Sequence, residues 1–161
     1  PTGEVTEHYA IGTCMDRVAR NANSSIMLRF TGPSMRQWYI QAAYFHRNED
    51  GPEWIKPGLA IDERTYPLSA NNPAVHASMD FADCVVAQDP HSADYFYRTA
   101  PQSDAEMEAI QALVPALGSC LPQGQEMEID PTALRLWIGE GLWHASNNLV
   151  PISSDNPEDE Q

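Results

Sequence analysis

The feature that most constrains this chain of 161 residues is an internal repeat at a nearly constant offset of 68–70 positions. Shifted by 70, Val5 meets Val75, Tyr9 meets Met79, Gly12 meets Ala82, Cys14 meets Cys84 and Met15 meets Val85. Arg29 and Arg98 follow at 69, Pro52 and Pro122 at 70, and Ile61-Asp62 and Ile129-Asp130 at 68. Between them, Thr31-Gly-Pro33-Ser34 answers Thr99-Ala-Pro101-Gln-Ser103. Landmarks kept in order at one spacing point to two copies of one supersecondary unit, each too small to bury its apolar face alone.

Each copy reads as three helices. In copy two, Asn72-Pro73 supplies an N-cap and a proline at the first helical position, and Val75, Met79, Ala82, Val85 and Val86 form an apolar stripe. Asp89-Pro90 ends that helix and caps a short one carrying Tyr95, Phe96 and Tyr97, which closes on Arg98 at the negative end of its dipole. Ser103-Asp-Ala-Glu106 is a capping box, opening a helix whose stripe is Met107, Ile110, Leu113, Val114 and Leu117. Copy one repeats the scheme, with Ser34-Met-Arg-Gln37 as its capping box ahead of Met35, Trp38, Tyr39, Ala42 and Phe45.

The expected fold is therefore all-α. Residues 1–148 form one helical domain, with repeat 1 over about 4–70, repeat 2 over about 72–130 and a closing helix at 131–145. That last helix, bearing Leu134, Ile138 and Leu142, is expected to seal the exposed end of the stack. The segment 46–72, rich in Pro, Gly and Asn, reads as an irregular loop with Trp54, Ile55, Leu59 and Ile61 tucked onto the core. Composition makes 149–161 a disordered acidic tail.

Charge narrows the partners. Nine Lys and Arg stand against 23 Asp and Glu, a net of −14. Such a field repels phosphate backbones and anionic lipid, so nucleic-acid binding is disfavoured; cations and basic protein surfaces are attracted. No apolar run approaches the roughly 18 residues of a membrane span, so no membrane insertion is expected. The chain opens on Pro1 without an initiator Met, which predicts a processed or truncated start. Three cysteines suit an exported protein with one bridge and one leftover thiol, although a cytosolic chain with three buried thiols fits too. Of three possible pairings, Cys84 with Cys120 is preferred because both lie in copy two. The closed loop would contribute on the order of 3–4 kcal/mol. Cys14 is then a small buried side chain on the stripe it shares with Cys84.

Phe81-Ala-Asp-Cys84-Val-Val, Asp89-Pro90, Arg98-Thr-Ala-Pro101-Gln-Ser103, Cys120-Leu-Pro and Leu134-Arg135 together resemble a group of small uncharacterised exported bacterial proteins. Those chains look helical and repeat a CVV…P…TxPxS…CLP…LR pattern. The resemblance covers residues 78–145 well and 5–62 faintly. It implies export, to the periplasm or beyond, and a helical repeat; it carries no activity. Copy one departs from the pattern at the second cysteine, so no bridge is expected there.

Candidate chemistry is sparse. His76, Asp80 and Asp83 share one helix face and could ligate a divalent ion, though a solvated face is the plainer reading. The chain has no H-E-x-x-H, C-x-x-C, G-x-S-x-G or glycine-rich phosphate loop, and no cofactor is expected. Trp38, Tyr39, Tyr44 and Trp54 cluster near the loop of copy one and could line a surface for a partner or ligand, or simply be core. The leading expectation is a non-enzymatic exported protein that binds a protein partner or self-associates. A metal-dependent or hydrolytic enzyme, and a small-ligand binder with its site between the repeats, are the alternatives.

Overall fold

A computed structural model describes residues 32–66, 71–122 and 130–152. In chain order the elements are α1 (Gly32–Arg47), β1 (Leu59–Ile61), α2 (Pro73–Gln88), α3 (Pro90–Arg98), α4 (Asp104–Ser119), α5 (Pro131–Asn147) and β2 (Leu149–Pro151). The chain divides into two compact units, residues 1–38 and 39–161. Cys14, the segments expected to form the first two helices of repeat 1, and tail residues 153–161 lie outside the described residues. The description below concerns the second unit.

Helix starts follow the local sequence. Asn72 Oδ1 accepts from Ala74 N at 3.2 Å, Asp89 Oδ1 from Ser92 N at 3.0 Å and Asp130 Oδ2 from Ala133 N at 3.0 Å, each cap followed by a proline that lacks the N–H it would otherwise leave unsatisfied. Ser103 Oγ accepts from Glu106 N at 3.1 Å, while Glu106 Oε2 reaches back to Gln102 N at 2.7 Å, one residue beyond the usual capping box. In contrast, α1 begins at Gly32, two residues ahead of Ser34, so Ser34 stands within its first turn and is not its cap.

One expectation about packing is corrected. On α4 the buried positions are Glu106, Ala109, Leu113, Ala116 and Leu117, whereas Met107 and Val114 are each 55% exposed. The stripe is rotated because Glu106 must turn inward to meet a buried arginine. On α5, Leu134, Arg135, Ile138 to Leu142 and Ala145 are all buried, and within the second unit the helix packs against α2 and α3. Two glycines allow this. A Cβ on Gly141 would stand 2.9 Å from the Ala82 carbonyl oxygen of α2, and one on Gly139 would stand 2.5 Å from the Tyr97 hydroxyl of α3. Neither site has room for a methyl group.

The arginine is Arg135, in the first turns of α5. It donates to Glu106 Oε1 from Nε at 3.1 Å and from Nη2 at 2.6 Å, to the Tyr97 carbonyl at 2.8 Å and to Thr99 Oγ1 at 3.0 Å. Its guanidinium also lies over the Phe96 ring, 4.9 Å from the centroid. Burial alone would raise the Glu106 pKa; the bonds from Arg135 and the Gln102 N–H overcome that and hold the carboxyl below its usual value. The Thr99, Ser103 and Arg135 positions of the sequence pattern thus meet in one junction that ties α3, α4 and α5 together.

Cys84 and Cys120 are bridged, with Cα atoms 5.9 Å apart, fastening α2 to the end of α4. Outside the helices, β1 pairs antiparallel with β2, Ala60 opposite Val150. The fold is thus mostly helical, in keeping with the expected all-α class, and this short pairing brings the first residues of the expected disordered tail into a strand. Asp62 N extends the pairing to the Asn148 carbonyl at 2.8 Å and Ile152 N to the Gly58 carbonyl at 2.9 Å.

Truncating Arg135 to alanine leaves the Glu106 carboxylate buried without its cation. Urea titration should show a loss of about 3–5 kcal/mol. Tyr97 behaves in the opposite sense. Its hydroxyl is buried against Gly139 and has no hydrogen-bond partner among the described residues. Tyr97→Phe removes that polar atom and should leave stability unchanged or raise it by about 1 kcal/mol in the same titration.

Candidate functional site

The outer face of α2 carries the richest collection of polar side chains. The segment 62–66, which leads away from β1, runs across this face and fixes it at two points. Arg64 donates to Asp83 Oδ2 from Nε at 2.7 Å and to Asp83 Oδ1 from Nη2 at 2.6 Å, a two-pronged pairing that uses both carboxylate oxygens. The same Nη2 reaches the Glu140 carbonyl of α5 at 3.1 Å. One turn earlier, the Tyr66 hydroxyl donates to Asp80 Oδ1 at 2.7 Å and lies 3.2 Å from the His76 carbonyl. The Tyr66 ring stacks on the His76 imidazole with centroids 3.8 Å apart and planes inclined by 18°. Burial, and next the bond to Asp80, raise the Tyr66 pKa, so the phenol stays protonated and acts as a donor.

These contacts frame a cleft of about 540 Å³ lined by Asp62, Glu63, Arg64, Tyr66, His76, Asp80, Asp83, Cys84 and Ala87. Four carboxylates face it against one guanidinium. Since Arg64 and Asp83 neutralise each other, the excess charge resides on Asp62, Glu63 and Asp80, all exposed. Behind them is His144 of α5, whose Nδ1 lies 3.2 Å from Asp83 Oδ2 but out of line for a hydrogen bond, and finds no other partner among the described residues. Burial holds the His144 pKa below the usual histidine value, against the pull of Asp83 and with the push of the Arg64 guanidinium.

His76, Asp80 and Asp83 do lie together on one wall. They are not arranged as ligands: Asp83 is occupied by Arg64, Asp80 accepts from Tyr66, and His76 is stacked on the same tyrosine. Among the described residues no group of three His, Cys, Asp or Glu side chains could hold a metal. The aromatic set is split. Trp38 and Tyr39 are each 54% exposed, but Tyr44 is fully buried and Trp54 is 9% exposed. Those two are core, because the Trp54 N–H donates to the Tyr44 hydroxyl at 3.2 Å and that hydroxyl donates to Asp94 at 2.8 Å. Tyr44 offers no surface to a partner, and Trp54 shows only an edge, in a recess it lines with Ile55 and Leu59.

The disulfide borders the cleft through Cys84 without bringing reactivity. A thiolate at Cys84 would sit beside Asp80 and Asp83, and one at Cys120 would sit at the negative end of α4. Both settings oppose thiolate formation, so the bridge works as a staple. Sequence reasoning missed Arg64, Tyr66 and His144. Nothing in the local pattern around an arginine in a loop connects it to carboxylates on a helix further along the chain. Comparison with protein-family models, with curated proteins and with solved structures gives no match in any of the three.

A pH dependence follows from His144. In the unfolded chain this imidazole takes up its proton near pH 6.5, and in the folded chain only at lower pH. Between those points the unfolded state binds more protons, so stability declines as pH falls. Thermal unfolding followed from about pH 7.5 to about pH 5.5 should show a drop in Tm that is smaller in His144→Gln.

Proposed function

We propose that this is an exported, non-enzymatic protein that works by binding a basic protein partner in the cleft on α2. The observation that carries the reading is the clamp of Arg64 and Tyr66 on Asp83 and Asp80. It fixes the walls of an anionic cleft through internal bonds, so recognition requires little reordering. The net charge of −14 extends the same preference over the whole chain and favours encounter with cations. The Cys84–Cys120 bridge accords with an oxidising compartment outside the cytosol, and among the described residues no helix is long and apolar enough to cross a membrane. A metal-dependent or hydrolytic role would need His76, Asp80 and Asp83 released from their present bonds.

Selection from a displayed random-peptide library tests this. Peptides enriched on the wild-type protein should be rich in lysine and arginine. They should lose binding to a variant carrying Asp62→Asn, Glu63→Gln and Asp80→Asn, whose unfolding midpoint should match the wild type. Enrichment without basic residues, or binding indifferent to the three substitutions, would refute the reading.

A further inference from the structure

Two nitrogen donors converge on a single carboxylate oxygen behind the cleft. Arg64 Nε lies 2.7 Å from Asp83 Oδ2 and holds it in a hydrogen bond. His144 Nδ1 lies 3.2 Å from the same oxygen without the alignment of a bond. The His144 side chain is only 10% exposed, and its Nδ1 has no hydrogen-bond partner among the described residues. A neutral imidazole tolerates that position, since its proton can sit on the other ring nitrogen. An imidazolium does not, because Nδ1 then becomes a buried donor that must find an acceptor. The surrounding charges come from each packed element. Asp83 of α2 and Asp62 of the segment 62–66 favour a proton on His144, and Arg64 opposes it. On α5 itself Glu140 stands one turn earlier; on α3, Asp94 and Arg98 are paired with each other and His91 is exposed.

Resting on the proposed function, we infer that His144 is an acid-operated release for the basic partner: its protonation takes Asp83 from Arg64, frees the segment 62–66 from α2 and unmakes the cleft. A proton from solvent binds Nδ1, and the new N–H donates to Asp83 Oδ2. Arg64 Nε thereby loses its acceptor, and the guanidinium stands beside a second cation in a partly buried site, where repulsion is poorly screened. Once Arg64 turns outward, the segment keeps only the Tyr66 bond to Asp80 and the Asp62 N bond to the Asn148 carbonyl, so the opening is local. Two consequences for the cleft have the same sign. Its wall is no longer clamped, so binding must order it. The freed guanidinium also competes for Asp62, Glu63 and Asp80, the carboxylates a basic partner would use. The open form takes up the proton more readily than the closed one, because Asp83 is then unshared. Between the two titration points each pH unit downward raises the ratio of open to closed by up to about tenfold. By linkage, a partner that holds the closed form opposes protonation to the same degree.

Two readouts between about pH 7.5 and about pH 5 decide this. The first is fluorescence anisotropy with a labelled peptide of alternating lysine and alanine, whose own charge is constant over that range. Its affinity should fall at least about tenfold toward the lower pH in the wild type, and less than about threefold in His144→Gln. The second is the nitrogen–proton correlation signal of Arg64 Nε–H in the protein without peptide. It should move from a bonded to a solvated position along the same curve as the His144 ring protons, and stay in place in His144→Gln. Arg64→Gln supplies a check with the buried histidine left intact: loss of the guanidinium should raise the His144 titration point by about half a pH unit or more. Tight binding that is equal at both pH values, an Arg64 signal indifferent to His144, or an unmoved His144 titration in Arg64→Gln would overturn this inference and leave the proposed function standing. Absence of peptide binding at pH 7.5 would overturn the proposed function, and this inference with it.

Discussion

A buried guanidinium holds this structure together. Taking Arg135 out of water costs several kcal/mol, and the fold answers with acceptors on three different segments: the Glu106 carboxylate, the Thr99 hydroxyl and the Tyr97 carbonyl. Those acceptors converge only when α3, the turn after it, α4 and α5 are mutually in place. The pair therefore adds more to definition than to net stability, because a loosely packed alternative would leave a buried charge unsatisfied. With α5 so positioned, Gly141 admits the backbone of α2, and the outer face of α2 becomes a wall of the acidic cleft.

The same device recurs twice. Arg64 pairs with Asp83 and reaches the carbonyl of Glu140. Arg98 pairs with Asp94 and reaches the carbonyls of Asn48 and Glu49, so it serves the end of α1 as well as its own helix. Each arginine ties a carboxylate on one segment to a backbone carbonyl on another. In a chain with only nine Lys and Arg against 23 Asp and Glu, three cations committed in this way leave an outer surface dominated by carboxylates. Structural and functional electrostatics are therefore one question here. The internal pairs set the fold, and what they leave over is the anionic excess on which the proposed binding of a basic partner rests.

Legibility in the sequence followed the range of the physics. Caps act within four residues, so Asn72-Pro73, Asp89-Pro90 and Ser103 could be read directly, and α2, α3 and α4 start where they indicate. The bridge was legible through the position of its two cysteines within one unit. Side chains that act across the fold were not. The expected face of Met107, Ile110, Leu113, Val114 and Leu117 keeps Leu113 and Leu117 in the core, and the inward turn of Glu106 toward Arg135 goes with Ala109 and Ala116 being buried and Met107 and Val114 exposed. Glycines at 139 and 141 mark a close approach only once the partner helix is known. Pairing of Leu59–Ile61 with Leu149–Pro151 joins a loop to a supposed tail, far beyond any local signal. The candidate site was half visible. His76, Asp80 and Asp83 drew notice as a possible metal face, and Arg64 and Tyr66, which give them another purpose, did not.

The most direct measurement of the central claim is a titration of isotopically labelled protein with a lysine-rich peptide, followed by backbone amide chemical shifts. The account predicts the largest shifts between residues 61 and 66 and between 76 and 87, saturating together, with the α4 face around Met107 and Val114 unmoved. Shifts centred on that exposed apolar face of α4, or scattered without a common saturation, would contradict it.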